Sequence, residues 1–213
     1  INFTDGSYLD VPVAVNVIKV DQGIDDKDNH DIYRDITRTI TVEGQDTPVV
    51  QHVIYSRAKI TDLAKPEGQQ VTYTAWVAGK NSEGQEVTSF PQFEVTKLGY
   101  TATATGAAIE TIDGKQYVPA SATITPDSKD LVVDVTYTAN ERTLVITYVD
   151  SQTGKQVGSR YNVSGKTGEE VSVDVAGNVP TNWKLVPNQN VILCSTDKLD
   201  HLILLDSLNL LIV

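Results

Sequence analysis

Arg142-Thr143-Leu144-Val145-Ile146-Thr147-Tyr148-Val149-Asp150 runs directly into Ser151-Gln152-Thr153-Gly154-Lys155. The first nine residues have the composition of a strand, and Asp150 to Lys155 has that of a turn. After it come Gly165-Lys166-Thr167-Gly168-Glu169-Glu170 and then Asn182-Trp183-Lys184-Leu185-Val186. The order is strand, turn, polar glycine loop and late aromatic strand. Nothing in it has the look of a site for chemistry.

The whole chain agrees with that reading. Its 213 residues suffice for one large or two small domains, and 40% of them are hydrophobic, so real cores are within reach. Aromatic residues make up only 7%, and Val and Thr dominate instead. β-branched side chains suit a pleated, half-buried surface and lose χ1 freedom in a helix, which favours a mainly β structure. A formal net charge of −11 argues against nucleic acid, whose phosphates need clustered Lys and Arg. It also argues against an anionic membrane surface. The single cysteine, Cys194, excludes an internal disulfide framework. The absence of Met is what a segment cut from a longer polypeptide would show, and no signal peptide, membrane span or sorting motif is evident.

Outward from the opening stretch, the pattern is β throughout. Residues 1–20 hold two strand-like runs about the turn Asp5-Gly6-Ser7, with Val11, Val13, Val15 and Val17 in period two. Residues 21–30 are acidic and poor in apolar side chains, which predicts a linker. Asp35 to Val42 alternates cleanly, Val49 to Ile60 should be its hairpin partner, and Gln70 to Val77 should be one further strand. That strand would place Val71, Tyr73, Ala75 and Val77 on one side and Trp76 on the other. Leu131 to Tyr137 should form the last strand of this region, after the turn Thr125-Pro126-Asp127-Ser128-Lys129-Asp130.

Two family resemblances follow from these residues. The YxD strand end at Tyr148 to Asp150, the Thr153-Gly154 turn, the Gly165 to Glu170 loop and Asn182 to Val186 resemble the MucBP module of mucus-binding adhesins from lactic acid bacteria. Tyr33 to Ile40, Thr72-Tyr73-Thr74-Ala75-Trp76, Gly99-Tyr100, Thr125 to Asp130 and Val135-Thr136-Tyr137 resemble the larger B2-type domain that accompanies MucBP in Mub repeats. The resemblance implies tandem β-grasp (ubiquitin-like) domains strung into an elongated rod. It assigns 1–20 to the closing strands of a preceding MucBP-type unit and 21–30 to the acidic linker. It assigns 31–140 to a B2-type domain and 141–190 to an incomplete MucBP domain.

Residues 191–213 break the pattern. Leu occurs there at 193, 199, 202, 204, 205, 208, 210 and 211, against six positions in the first 190 residues. The run follows neither strict alternation nor a helical stripe, so this tail is expected to be atypical and non-native in origin. If the second domain lacks its closing strand, residues 1–20 of a neighbouring molecule could add one head to tail. The rival expectation is that the tail fills the vacancy within the same chain.

Candidate chemistry is sparse. His30, His52 and His201 have no evident partners, Cys194 has no base beside it, and no acid–base constellation appears, so no enzyme is expected. Asp25-Asp26-Lys27-Asp28-Asn29-His30-Asp31 offers oxygens to calcium but lacks EF-hand spacing, and a solvated linker explains it better. Gly165-Lys166-Thr167-Gly168 lacks the spacing of a phosphate loop. The side chains chosen for contact with a glycan or partner are Trp76, Tyr33 and Tyr55, since a ring with one exposed face can stack on a sugar. Trp183 is assigned to its module's core. No cofactor and no metal is expected. The resemblance implies an extracellular adhesin, attached to the bacterial cell wall through regions outside 1–213. It would bind host mucin glycoproteins weakly per repeat and multivalently. The alternatives are an immunoglobulin-binding surface module and a structural spacer.

Overall fold

Alternating β-branched side chains and polar turns produce fourteen strands in the described part of the computed structural model, which comprises residues 4–10, 17–187 and the backbone of 207–212. The protein is mainly β, with one short 3-10 turn, at Gly23–Asp25, among the described residues. Its contacts divide it into two units, 1–95 with 104–135, and 96–103 with 136–213.

In the first unit, β1 (Ile18–Gln22), β4 (Ala58–Asp62) and β5 (Val71–Tyr73) form a three-stranded sheet in the order β1-β4-β5. A five-stranded sheet is built on β2 (Tyr33–Val42) and β3 (Val49–Ser56), the expected hairpin, in register from Tyr33 opposite Ser56 to Ile40 opposite Val49. Its order is β6-β3-β2-β11-β8, with β6 at Val77–Ala78, β8 at Tyr100–Thr105 and β11 at Leu131–Ala139. Residues 100–103 of β8 and 136–139 of β11 are counted with the second unit. β11 lies parallel to β2, Leu131 facing Arg38 and Val135 facing Val42. The turn before it is closed by Ser128 N–H donating to Thr125 O at 3.0 Å. Asp130 Oδ1 then accepts from Thr37 N–H at 2.7 Å, which ties that turn to β2.

The period-two pattern of β2 sorts its side chains. Ile36, Arg38, Ile40 and Val42 are all buried, and Ile36 joins Val53, Tyr55, Ala78, Phe90 and Ile124 in one core cluster. Fully burying a side chain of this size stabilises by about 1.5–3 kcal/mol. The small sheet β7 (Phe93–Glu94), β10 (Lys115–Val118) and β9 (Glu110–Ile112) runs in the order β7-β10-β9. Arg38 links the carbonyls of Pro91 and Pro119, just outside those strands, to β2: its guanidinium donates to Pro119 O at 2.8 Å and to Pro91 O, and its Nε–H donates to Gln51 Oε1 at 2.8 Å. Burial holds this guanidinium below its usual pKa.

In the second unit, β12 (Glu141–Asp150) and β13 (Gln156–Lys166) form an antiparallel hairpin about the turn read from the opening stretch. Asp150 organises the turn as an acceptor: its side chain takes hydrogen bonds from Gln152 N–H at 3.0 Å and from the Thr153 hydroxyl. Gly154 completes the turn at φ +70°, a left-handed conformation in which a Cβ would be strained. β14 (Ser207–Ile212) lies parallel to β12, Val145 facing Ser207 and Asp150 facing Ile212. Ile146 and Tyr148 are the buried centre of this unit, and Trp183 packs against them as expected. Tyr148 stacks on Tyr161 with centroids 6.3 Å apart and donates its hydroxyl proton to Val175 O at 2.7 Å.

Several expectations need correction. Val49 to Ile60 is not one strand: β3 ends at Ser56 and β4 starts at Ala58 in another sheet, with Arg57 at the break. Gln70 to Val77 is likewise split into β5 and β6, because Thr74 is bound to Ala58 in both directions. Thr74 N–H donates to Ala58 O and Ala58 N–H to Thr74 Oγ1, each at 2.9 Å. The acidic stretch 21–30 opens inside β1 and continues through the 3-10 turn, with Gly23 buried. Ile18 to Val20 do not close a separate unit; they pair with β4 of the first one. The tail backbone at 207–212 occupies the edge of β12 within the same chain, which is the rival of strand donation by a neighbour. The expected strand through Val11, Val13 and Val15, the side chains of Cys194 and His201, and 188–206 as a whole lie outside the described residues.

Candidate functional site

The breaks that split the two expected strands also build the most distinctive surface of the first unit. Where β3 gives way to β4, Arg57 N–H donates to Ile32 O at 2.9 Å, and Arg57 O accepts from Gly23 N–H at 3.1 Å. This approach admits only glycine, since a Cβ on residue 23 would lie 1.8 Å from Ile32 O. Arg57 Nε–H donates to Asp31 O at 2.7 Å, so backbone and side chain are both held. The guanidinium carbon then lies 4.2 Å from the ring centre of Tyr73 and 4.4 Å from that of Trp76. Arg34 stands over the same indole at 5.9 Å.

The result is a cluster of two rings and two cations, Tyr73, Arg57, Trp76 and Arg34. A cation over a ring face contributes about 0.5–1 kcal/mol when exposed and about 2 when desolvated. Trp76 is half-buried and packs on the core cluster, whereas Tyr73 is 40% exposed. Arg34 also lines an open groove of about 510 Å³ with Asp35, Ile36 and the loop 126–130. On the far side of β2, Asp35 Oδ1 lies 3.0 Å from His52 Nδ1. Chemically, this corner offers flat ring surface and guanidinium donors.

Of the three aromatics chosen from the sequence, only Trp76 belongs to this corner with part of its surface in water. Tyr33 and Tyr55 have no open face: they are 7% and 8% exposed. Tyr55 instead donates its hydroxyl proton to Ile124 O at 2.7 Å. Burial raises both phenol pKa values, Asp35 adding to the effect on Tyr33 and Glu86 to that on Tyr55. Their burial replaces the expectation of an exposed ring. The residues missed are Arg57, Tyr73 and Arg34. Tyr73 was assigned to the strand face opposite Trp76, and the break at Thr74 removes that opposition.

In the acidic segment Asn29 Nδ2–H donates to Asp26 Oδ2 at 3.2 Å, and Asp31 N–H to Asn29 Oδ1 at 3.2 Å. Among the described residues no three His, Cys, Asp or Glu side chains converge as metal ligands. In the Gly165 to Glu170 loop, Glu169 Oε2 accepts from Lys166 N–H at 2.7 Å, a turn closure. Among the described residues, no helix is long and apolar enough to cross a membrane. Compared with known proteins, the chain matches no family model, and no curated protein matches it.

Proposed function

We propose that this chain is a repeat of a cell-surface adhesin that binds host mucin glycans through the cluster of Tyr73, Arg57, Trp76 and Arg34. The observation that carries the reading is the cluster itself: two rings, Trp76 packed on the core and Tyr73 40% exposed, with guanidinium groups at 4.2–5.9 Å from the ring centres. Sugar C–H faces stack on such rings, and guanidinium N–H groups donate to ring oxygens and hydroxyls. One small exposed site gives weak binding, so strength would come from many repeats on one filament that raise the local concentration for the next contact. The reading places the protein outside the cell, attached to the wall through other regions of a longer polypeptide.

The tandem β-grasp architecture belongs to the same proposal. Its support is the connection that recurs in both units, a hairpin whose first strand takes a later strand in parallel.

Binding to immobilised mucin and to the same mucin stripped of its glycans tests the function. Tyr73→Ala is expected to weaken binding to intact mucin at least about tenfold, a loss of about 1.4 kcal/mol, with an unchanged circular dichroism spectrum. Equal binding to the stripped mucin would end the glycan reading. Retention of immunoglobulin irrespective of glycans would put antibody recognition in its place.

A further inference from the structure

Next to the ring cluster lies a strand edge that is unpaired among the described residues. β5 is the outermost described strand of its sheet, and its ladder with β4 uses alternate residues. Asp62 N–H donates to Gln70 O at 2.8 Å and Thr74 N–H to Ala58 O at 2.9 Å, with Thr72 facing Ile60 between them. In an antiparallel ladder the intervening residues turn their N–H and C=O groups the other way. Those residues are Val71 and Tyr73, 44% and 40% exposed, and their backbone groups have no partner among the described residues.

Edge strands are ordinarily blunted by charge, proline or a bulge, because an open row of donors and acceptors recruits other chains. β1, at the opposite edge of this sheet, follows that rule: it carries Lys19 and Asp21, joined at 3.0 Å. β5 reads Val-Thr-Tyr and has no such defence. The charge beside it is also reversed relative to a chain of net charge −11. Arg57 covers the Tyr73 ring at 4.2 Å, and Lys59 faces Tyr73 in register. Among the described residues neither cation has a carboxylate within ion-pair distance. Asp21, which faces Lys59 from the other side, is held by Lys19.

We infer that β5 accepts an extended acidic peptide of another protein as a fourth strand of this sheet. Pairing with Val71 and Tyr73 supplies backbone hydrogen bonds, the general means by which a sheet edge holds a strand. Acidic side chains on the Tyr73 face reach Arg57 and Lys59, which sets the preference for charge. The inference goes beyond glycan binding, since it requires no sugar.

The test is a titration of the isotope-labelled full chain with the synthetic peptide Thr-Glu-Thr-Glu-Thr-Glu and with its Lys-for-Glu counterpart, followed by amide shifts and hydrogen exchange. The expected result is slowed exchange at Val71 and Tyr73 with the Glu peptide alone. N-methylation of the pairing amides should weaken binding roughly three- to tenfold per lost bond. Val71→Pro, which removes one outward donor, should do the same, and Arg57→Gln should narrow the gap between the two peptides. Failure of the Glu peptide to bind, equal binding of both peptides, or shifts confined to other strands would each overturn the inference. So would sedimentation showing a dimer whose Val71 and Tyr73 amides are protected without peptide, since the occupant would then be a second copy. Neither peptide carries a glycan, so failure here leaves the mucin result standing, and the reverse also holds.

Discussion

In the first unit β2 lies between its hairpin partner β3 and the parallel strand β11, and in the second β12 lies in the same way between β13 and β14. The connection is shared, but the filling is not. On β2 the first unit buries Ile36, Arg38, Ile40 and Val42, and residues 79–125 add Phe90, Val118 and Ile124 to its interior. Among the described residues the buried cluster of the second unit holds Ile146 and Tyr148, with Leu144, Val157, Tyr161, Trp183 and Leu185 half-covered around them. Residues 167–187 of this unit form no strand. The same strand connection thus carries two different sets of buried side chains.

This contrast predicts where each unit breaks. The largest effect belongs to Tyr148→Ala, which empties the buried cluster described for the second unit at a cost of about 3–5 kcal/mol. Calorimetry should show the transition of the second unit lost and that of the first unchanged; a joint shift of both would show that they do not melt separately. Arg38→Met is the counterpart in the first unit. It removes the donor to Pro119 O and leaves Pro91 O only the weaker bond from Gln51 Nε2–H at 3.2 Å, and a loss of about 1–3 kcal/mol confined to the first unit is expected, read from denaturant midpoints.

Alkali sharpens the comparison further. Burial, with Tyr161 as the next cause, pushes the Tyr148 phenol from 10.0 up to about 12. The unfolded chain therefore releases this proton first, and stability of the second unit falls as pH rises from 10.0 to about 12. Tyr148→Phe should remove that slope at a cost near 1 kcal/mol for the lost hydrogen bond to Val175 O, as melting temperature against pH would record. The smallest effect lies at Asp150, whose carboxylate is held below the usual value by the Thr153 hydroxyl and then by Gln152 N–H. A depressed carboxylate stabilises above its unfolded pKa and loses that contribution as pH drops below 3.8 and through the folded value. Asp150→Asn should flatten the acid limb of the same melting curve slightly.

What could be read from the residues alone followed their range of interaction. The β2–β3 hairpin and the turn between β12 and β13 were legible because alternation and turn chemistry are local. The inward phase through Ile36, Ile40 and Val42 also contains Arg38, so the pattern itself carries the buried arginine. The splits at Arg57 and Thr74 were not legible. They depend on hydrogen bonds from Arg57 to Ile32 and from Thr74 to Ala58, and no window of a few residues contains those partners. The same limit hid the candidate site, which exists only because Arg57 and Trp76 leave their expected strands. For Tyr33 and Tyr55 the limit acts in the opposite sense: alternation shows which side a ring takes, but not whether a second layer covers that side.

The parallel seating of β14 beside β12 has a mechanical consequence. Tension that enters at the start of β12 and leaves at the end of β14 draws the two strands past each other lengthwise. Their six paired positions, Val145 to Asp150 against Ser207 to Ile212, then share the load at once, where a hairpin pulled from its open end would unzip rung by rung. Stretching single molecules should show one abrupt rupture for this unit in place of a gradual yielding. Under a steady pull such a joint would hold firm up to a sharp limit.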